Sequence, residues 1–140
     1  MNILRLVHDK IVEQCAFTPW ETGGILGGGS HSVTSFHIDR PSENGSPNHY
    51  RPNVDYLNQA IWRWRHDKIA LLGVFHSHLA GDTSLSMPDR GYIYQIFQAL
   101  PASIEVLYFP VVLPRERMIG YKATRGTRSP QISRDLVRLI

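Results

Sequence analysis

The stretch HSHLAGDTSLSMPD, residues 76–89, sets two histidines and an aspartate in the pattern H-x-H-x10-D, with Ser86 three residues before Asp89. His76 and His78 end a run of apolar and β-branched residues, IALLGVFHSH, that reads as a strand. Side chains two apart on a strand leave the same face, so both imidazoles can converge on one point. A loop of about ten residues then has slack enough to bring the Asp89 carboxylate round to that point. Two imidazoles and one carboxylate are three ligands for a borderline-soft divalent cation, and three protein ligands leave a fourth position open. That is the arithmetic of a catalytic zinc, one ion per chain, rather than a structural one. The pattern predicts a zinc hydrolase.

A hydrolytic site of this kind needs a base that takes a proton from water and returns it to the leaving group. Glu21, in PWETGGILGG, is the strongest candidate: it stands between a helix and a strand, next to two glycines that let neighbouring backbone approach closely. Glu13 falls on the exposed side of the first helix, Glu43 in a loop, and Glu105 at the start of a strand without glycines. The Ser86 hydroxyl could donate to an oxygen developing on a tetrahedral carbon, and could equally cap the helix that Pro88 begins. Ser77 points away from the two histidines, toward the core. His8, His31, His37, His49 and His66 read as ordinary surface or core residues, and Cys15 as a small core residue in a helix stripe.

The elements that must position these groups follow from periodicity. Leu4, Val7, Ile11 and Cys15 mark a first helix with one apolar face, stopped by Pro19. TGGILGGGS is a short glycine-laden strand in tight contact with its surroundings, and SVTSFHID is expected to pair with it as a hairpin. PSENGSPNHYRPN is a loop by composition, and its segment from Pro41 to Pro52 is expected to border the cleft, with Tyr50 and Arg51 available to a substrate. Asn53 can cap a second helix whose buried stripe is Val54, Leu57, Ile61 and Trp64. The strand ending in His78 is apolar throughout, as suits a central strand covered on both faces. A third helix opens at Ser86 or Pro88, with Tyr92, Ile96 and Leu100 on one face. Two strands, IEVLYFPVV and RMIGYKA, and a short C-terminal helix through Ile132, Leu136 and Ile140 complete a single mixed α/β domain over residues 1–140.

Composition narrows the class. The 140 residues suit one domain, and 42% hydrophobic with 19% charged residues is ordinary for a soluble protein. No apolar run approaches the roughly 20 residues that span a bilayer, and the N-terminal pattern is interrupted by charges, unlike a signal peptide. The single cysteine excludes an internal disulfide and a thiolate zinc cluster and favours a reducing compartment, with the cytoplasm expected. The net charge of +3 draws on a late basic group, Arg115, Arg117, Lys122, Arg125, Arg128, Arg134 and Arg138. Without interleaved aromatics or a reading motif this is a solvated face, or a mild preference for an acidic protein, rather than a nucleic-acid surface.

The pattern Glu21, then His76-Ser77-His78, seven residues, Ser86, two residues, Asp89, resembles the metal-binding signature of the JAMM family, the metallopeptidase branch of MPN domains. The flanking words ETGGILGG and GVFHSH are similar to the family's as well, and the element order matches its domain along essentially the whole chain. The resemblance implies a fold akin to cytidine deaminases and cleavage of isopeptide or peptide bonds after the C-terminal tail of ubiquitin or ubiquitin-like proteins. It implies His76, His78 and Asp89 as zinc ligands, Glu21 as general acid/base and Ser86 as oxyanion stabiliser. The deaminases' own H-x-E with P-C-x-x-C is absent, which argues against base deamination.

Eukaryotic deubiquitinases of this type carry an insertion after the catalytic Asp, with further Cys and His ligands for a second zinc. Here the chain after Asp89 has neither residue type, so it looks like the compact stand-alone bacterial and archaeal members. Those are associated with ubiquitin-like or sulfur-carrier proteins, phage tail assembly, or defence systems that conjugate proteins. The expected partner is a ubiquitin-like or carrier protein whose tail binds extended along a sheet edge beside the metal; no nucleic acid and no membrane is expected. The alternatives are a zinc amidase or peptidase acting on a small-molecule, cell-wall or phage-tail peptide, and a non-catalytic MPN-type scaffold.

Overall fold

The run that carries the two histidines forms a strand paired along both of its edges. The computed structural model describes residues 1–40 and 50–140. Its elements are β1 (Asn2–Ile3), α1 (Arg5–Cys15), β2 (Gly23–Gly29), β3 (Ser32–Ile38), α2 (Val54–His66), β4 (Ala70–Ser77), α3 (Met87–Ala99), β5 (Val106–Tyr108), β6 (Val111–Leu113), β7 (Arg117–Ile119), β8 (Tyr121–Thr124), β9 (Gln131–Arg134) and β10 (Arg138–Leu139). They build one mixed sheet in the order β10-β1-β3-β2-β4-β5-β8-β9, with β6 set between β4 and β7. β2 and β3 form the expected antiparallel hairpin, and β2 also pairs antiparallel with β4, placing Gly23 opposite His76. On its other edge β4 pairs in parallel, first with Tyr108 of β5 at Gly73 and then with Val111 and Val112 of β6 at His76 and Ser77.

The pleat of β2 and β4 sends alternate residues into two cores. Ile25 and Val74 pack with Leu57 and Ala60 of α2 and Ile93 and Phe97 of α3. Leu26 and Phe75 pack with Val7, Ile11 and Cys15 of α1, on the other face. The central strand is therefore buried on both sides, as its unbroken apolar run requires. Among the described residues, α2 and α3 cover one face of the mixed sheet and α1 the other.

Several local expectations change in three dimensions. The third helix buries Ile93 and Phe97, while Tyr92, Ile96 and Leu100 are only partly covered. In the second, Leu57 and Ala60 are buried and Val54 is exposed, because Val54 sits in the first turn beyond the edge of the sheet contact. IEVLYFPVV is two strands, divided at Phe109 and Pro110: proline has no N–H to continue the ladder, but its carbonyl accepts from the His76 N–H. RMIGYKA is likewise divided at Gly120, where a Cβ would lie 2.2 Å from the Asp135 carbonyl oxygen. The Asp135 N–H donates to the Gly120 carbonyl across this close approach.

The expected C-terminal helix through Ile132, Leu136 and Ile140 is absent: residues 131–134 pair antiparallel with β8, and 138–139 pair in parallel with β1. Leu136 and Ile140 are exposed, so their four-residue spacing buries no stripe. Ladder bonds to β8 and β1, with the N-terminal ammonium held by Asp135 and the Leu136 carbonyl, outweigh a weak helical pattern.

Candidate metal centre

β4 delivers His76 and His78 to one point, on the face of the sheet that α2 and α3 cover. Both are buried, 6% and 7% exposed, and their Nε2 atoms lie 2.9 Å apart. Ser77 between them turns the other way, fully buried, where its Oγ accepts from the Thr22 N–H. Asp89 reaches the pair from the first turn of α3. Its Oδ1 is 3.2 Å from His76 Nε2 and its Oδ2 is 3.3 Å from His78 Nε2.

The loop between the strand and α3 fixes these orientations. The Ser86 Oγ accepts from the Asp89 N–H at 3.2 Å, and the Ser86 N–H donates to Asp89 Oδ2 at 2.8 Å, a reciprocal capping box at the start of α3. Pro88 occupies the first turn, where its missing N–H costs nothing. One loop residue that sequence reasoning did not single out, Asp82, offers its backbone carbonyl to His78 Nδ1 at 2.9 Å. The Tyr121 hydroxyl donates to the Thr83 carbonyl, tying the same loop to β8.

A carbonyl can only accept, so His78 carries a proton on Nδ1 and, when neutral, turns the Nε2 lone pair toward Asp89 and His76. Two imidazoles and a carboxylate then face one small volume, where they can share protons or, with both Nε2 atoms deprotonated, hold a cation. The ligand atoms lie within 4.8 Å of one another. Bonds of about 2.0–2.1 Å directed to the corners of a tetrahedron put neighbouring ligand atoms about 3.3 Å apart, close to the observed 2.9, 3.2 and 3.3 Å. The trio fits a divalent transition metal, since imidazole suits such ions better than it suits magnesium or calcium. Burial pushes the Asp89 carboxyl up, but hydrogen bonds to His76 and His78 outweigh it and hold the group well below the usual carboxylate range. Burial pulls His78 down, yet its contacts with Asp89 and the Asp82 carbonyl leave it raised.

Glu21 lies between α1 and β2, and its charge is felt by both histidines and by Asp89. Burial raises its pKa despite the favourable pull of His78 and His76. Its Oε2 accepts from the Tyr50 N–H at 3.2 Å. Ser86 sits at the exposed rim of the site. Because its Oγ is the acceptor of the cap, its own O–H remains available to donate outward. The structure thus brings His76, His78 and Asp89 together, with Ser86 hydrogen-bonded to Asp89 and Glu21 within electrostatic reach of all three ligands. Of the loop from Pro41 to Pro52, residues 41–49 lie outside the described residues, but Tyr50 does border the site, its ring stacked 6.3 Å from that of His76 at 8°. Asp39, which accepts from the Tyr50 hydroxyl, gave no sequence signal beyond closing a strand.

No family model and no curated protein matches the chain. Solved structures do. The solution structure of a protein from Desulfitobacterium hafniense superposes with a TM-score of 0.71 at 17% identity, covering 99% of this chain and 92% of that one. A protein from Salinibacter ruber gives a TM-score of 0.60 at 16% identity, over 100% of this chain and 92% of that one. Neither carries a functional name, and at these identities the likeness is one of fold: a mixed α/β domain shared from end to end.

Proposed function

We propose that this chain is a zinc-dependent hydrolase of the JAMM type, an MPN-fold metallopeptidase that cleaves after the C-terminal tail of a ubiquitin-like or sulfur-carrier protein. The observation that carries the reading is the convergence of His76, His78 and Asp89 on one volume, with Glu21 close enough to feel their charges and Ser86 hydrogen-bonded to Asp89. Held by the three ligands, zinc supplies Lewis acidity, acidifying water and stabilising negative charge at neutral pH. Glu21 accepts the proton from water and returns it to the departing amine, a task suited to a carboxyl raised by partial burial. The Ser86 hydroxyl, free to donate, stabilises the oxyanion that develops on the scissile carbonyl. The lone, buried Cys15 is consistent with a reducing compartment, and we place the protein in the cytoplasm.

One observation favours the second reading, a small amide or peptide substrate. β4 is paired on both edges at His76, so an extended tail finds no free edge at the histidines themselves. A fluorogenic peptide amide ending in Gly-Gly, compared with the same tail on a folded ubiquitin-like protein, separates the two. Efficient cleavage of the protein-borne tail, abolished in Glu21→Gln, supports the carrier reading. Equal turnover of peptide and protein would assign the small substrate instead, and no turnover of either by zinc-loaded protein would refute the hydrolase.

A further inference from the structure

Tyr50 touches both the proposed base and the wall of the metal centre. Its backbone N–H donates to Glu21 Oε2 at 3.2 Å, and its ring lies nearly parallel to that of His76. Its hydroxyl donates to Asp39 Oδ2 at 2.7 Å. The same oxygen accepts from the Asn53 N–H at 2.8 Å, and the Asn53 side chain caps α2 by accepting from the Tyr56 N–H. One buried carboxylate just past the end of β3 therefore pins the segment 50–53 at both ends. Gly23 makes room for it: a Cβ there would stand 2.6 Å from the Tyr50 ring.

We propose that Tyr50, anchored by Asp39, is the positioning residue for Glu21. This rests on the reading of Glu21 as the acid/base. A glutamate has three side-chain torsions and, untethered, spreads over many rotamers. A donor on Oε2 selects one of them, and among the described residues Oε1 has no hydrogen-bond donor, so it can take and return a proton. The donor is a main-chain group, so its place is set by what holds the segment, which is the phenol on Asp39. The arrangement is made in the folded chain before any substrate arrives, which is how a base comes to be preorganised.

The test joins amide hydrogen exchange at residue 50 with turnover of a Gly-Gly fluorogenic amide by the zinc-loaded full chain. Glu21→Ala should speed exchange at residue 50 about tenfold or more, the scale of one lost charge-assisted hydrogen bond, while Glu13→Ala leaves it unchanged. Tyr50→Phe, which keeps the ring, should also speed that exchange and lower kcat about tenfold with KM within about twofold and zinc content unaltered. Residue 50 exchanging alike in wild type and Glu21→Ala would overturn the contact, and wild-type kcat in Tyr50→Phe would overturn the positioning role. An inactive wild type with Glu21-dependent exchange would sink the hydrolase reading while upholding the Tyr50–Glu21 contact.

Discussion

At the scale of residues, the roles proposed for Glu21 and Ser86 can be tested separately. Glu21→Gln is nearly isosteric but cannot accept a proton, so it should keep its metal and lose on the order of 10²–10⁴ in turnover, read on the Gly-Gly amide. Ser86 caps α3 with its oxygen, which leaves its O–H for the oxyanion role proposed above. Ser86→Gly should cost only a few tenths of a kcal/mol in helix stability, yet about 10²–10³ in kcat if the hydroxyl serves the oxyanion. A drop in melting temperature without a drop in kcat would leave the serine a cap alone. Cys15 is fully buried, and burial pushes its thiol from an ordinary 9.0 to about 12. The folded protein should then resist alkylation at neutral pH. A raised thiol favours the native state below the unfolded value and loses that contribution as pH climbs, so stability should decline between about pH 9 and 12. Rapid labelling of the native protein at pH 7 would contradict this. The convergence of the two histidines with Asp89, and the Ser86 cap, were legible in the sequence because strand alternation and capping are local rules. Asp39 and the Asp82 carbonyl were not, since each acts through a partner that only the fold brings near.

Among elements, the ends of the chain were the least legible. Helices α1, α2 and α3 announce themselves by stripes and caps, and β4 by its unbroken apolar run. The last two strands carry no such pattern; they exist because β8 and β1 offer unpaired edges, which no local spacing reveals. The late basic group also divides once elements are in place. Arg125 is structural: its Nε donates to the Ile104 carbonyl at 3.0 Å, and its Nη atoms donate to the Phe97 carbonyl at 3.1 Å and the Pro101 carbonyl at 3.0 Å. It closes the C-terminal end of α3, where carbonyls lack helical partners and a cation is favoured. Arg134 lies over the Tyr121 ring, whose hydroxyl holds the Thr83 carbonyl. Arg125→Met should destabilise the fold by about 2 kcal/mol, since hydrogen bonds to charged groups are the stronger kind. Denaturant unfolding with an unchanged midpoint would show the clip to be idle.

Across the whole molecule, the mixed sheet separates two cores, and the candidate centre lies at the end of β4, one of the strands that contribute to both. That placement explains why two histidines can be buried: Asp89 pairs with both rings and the Asp82 carbonyl accepts from His78. Of the remaining basic residues, Arg115, Arg117, Arg128 and Arg138 are exposed and Lys122 partly so; on the proposed reading they would attract an acidic carrier body. Cleavage of a folded ubiquitin-like substrate should weaken as salt rises from 0.05 to about 0.5 M, while cleavage of a short neutral tail peptide should change little. Parallel salt dependence for both would remove any role for those charges. The most direct test of the metal centre itself is elemental analysis of the purified protein beside His76→Ala. About one zinc per chain in the wild type, lost in the variant, is the expected result. Full zinc occupancy in His76→Ala, or none in a wild type supplied with zinc, would contradict it.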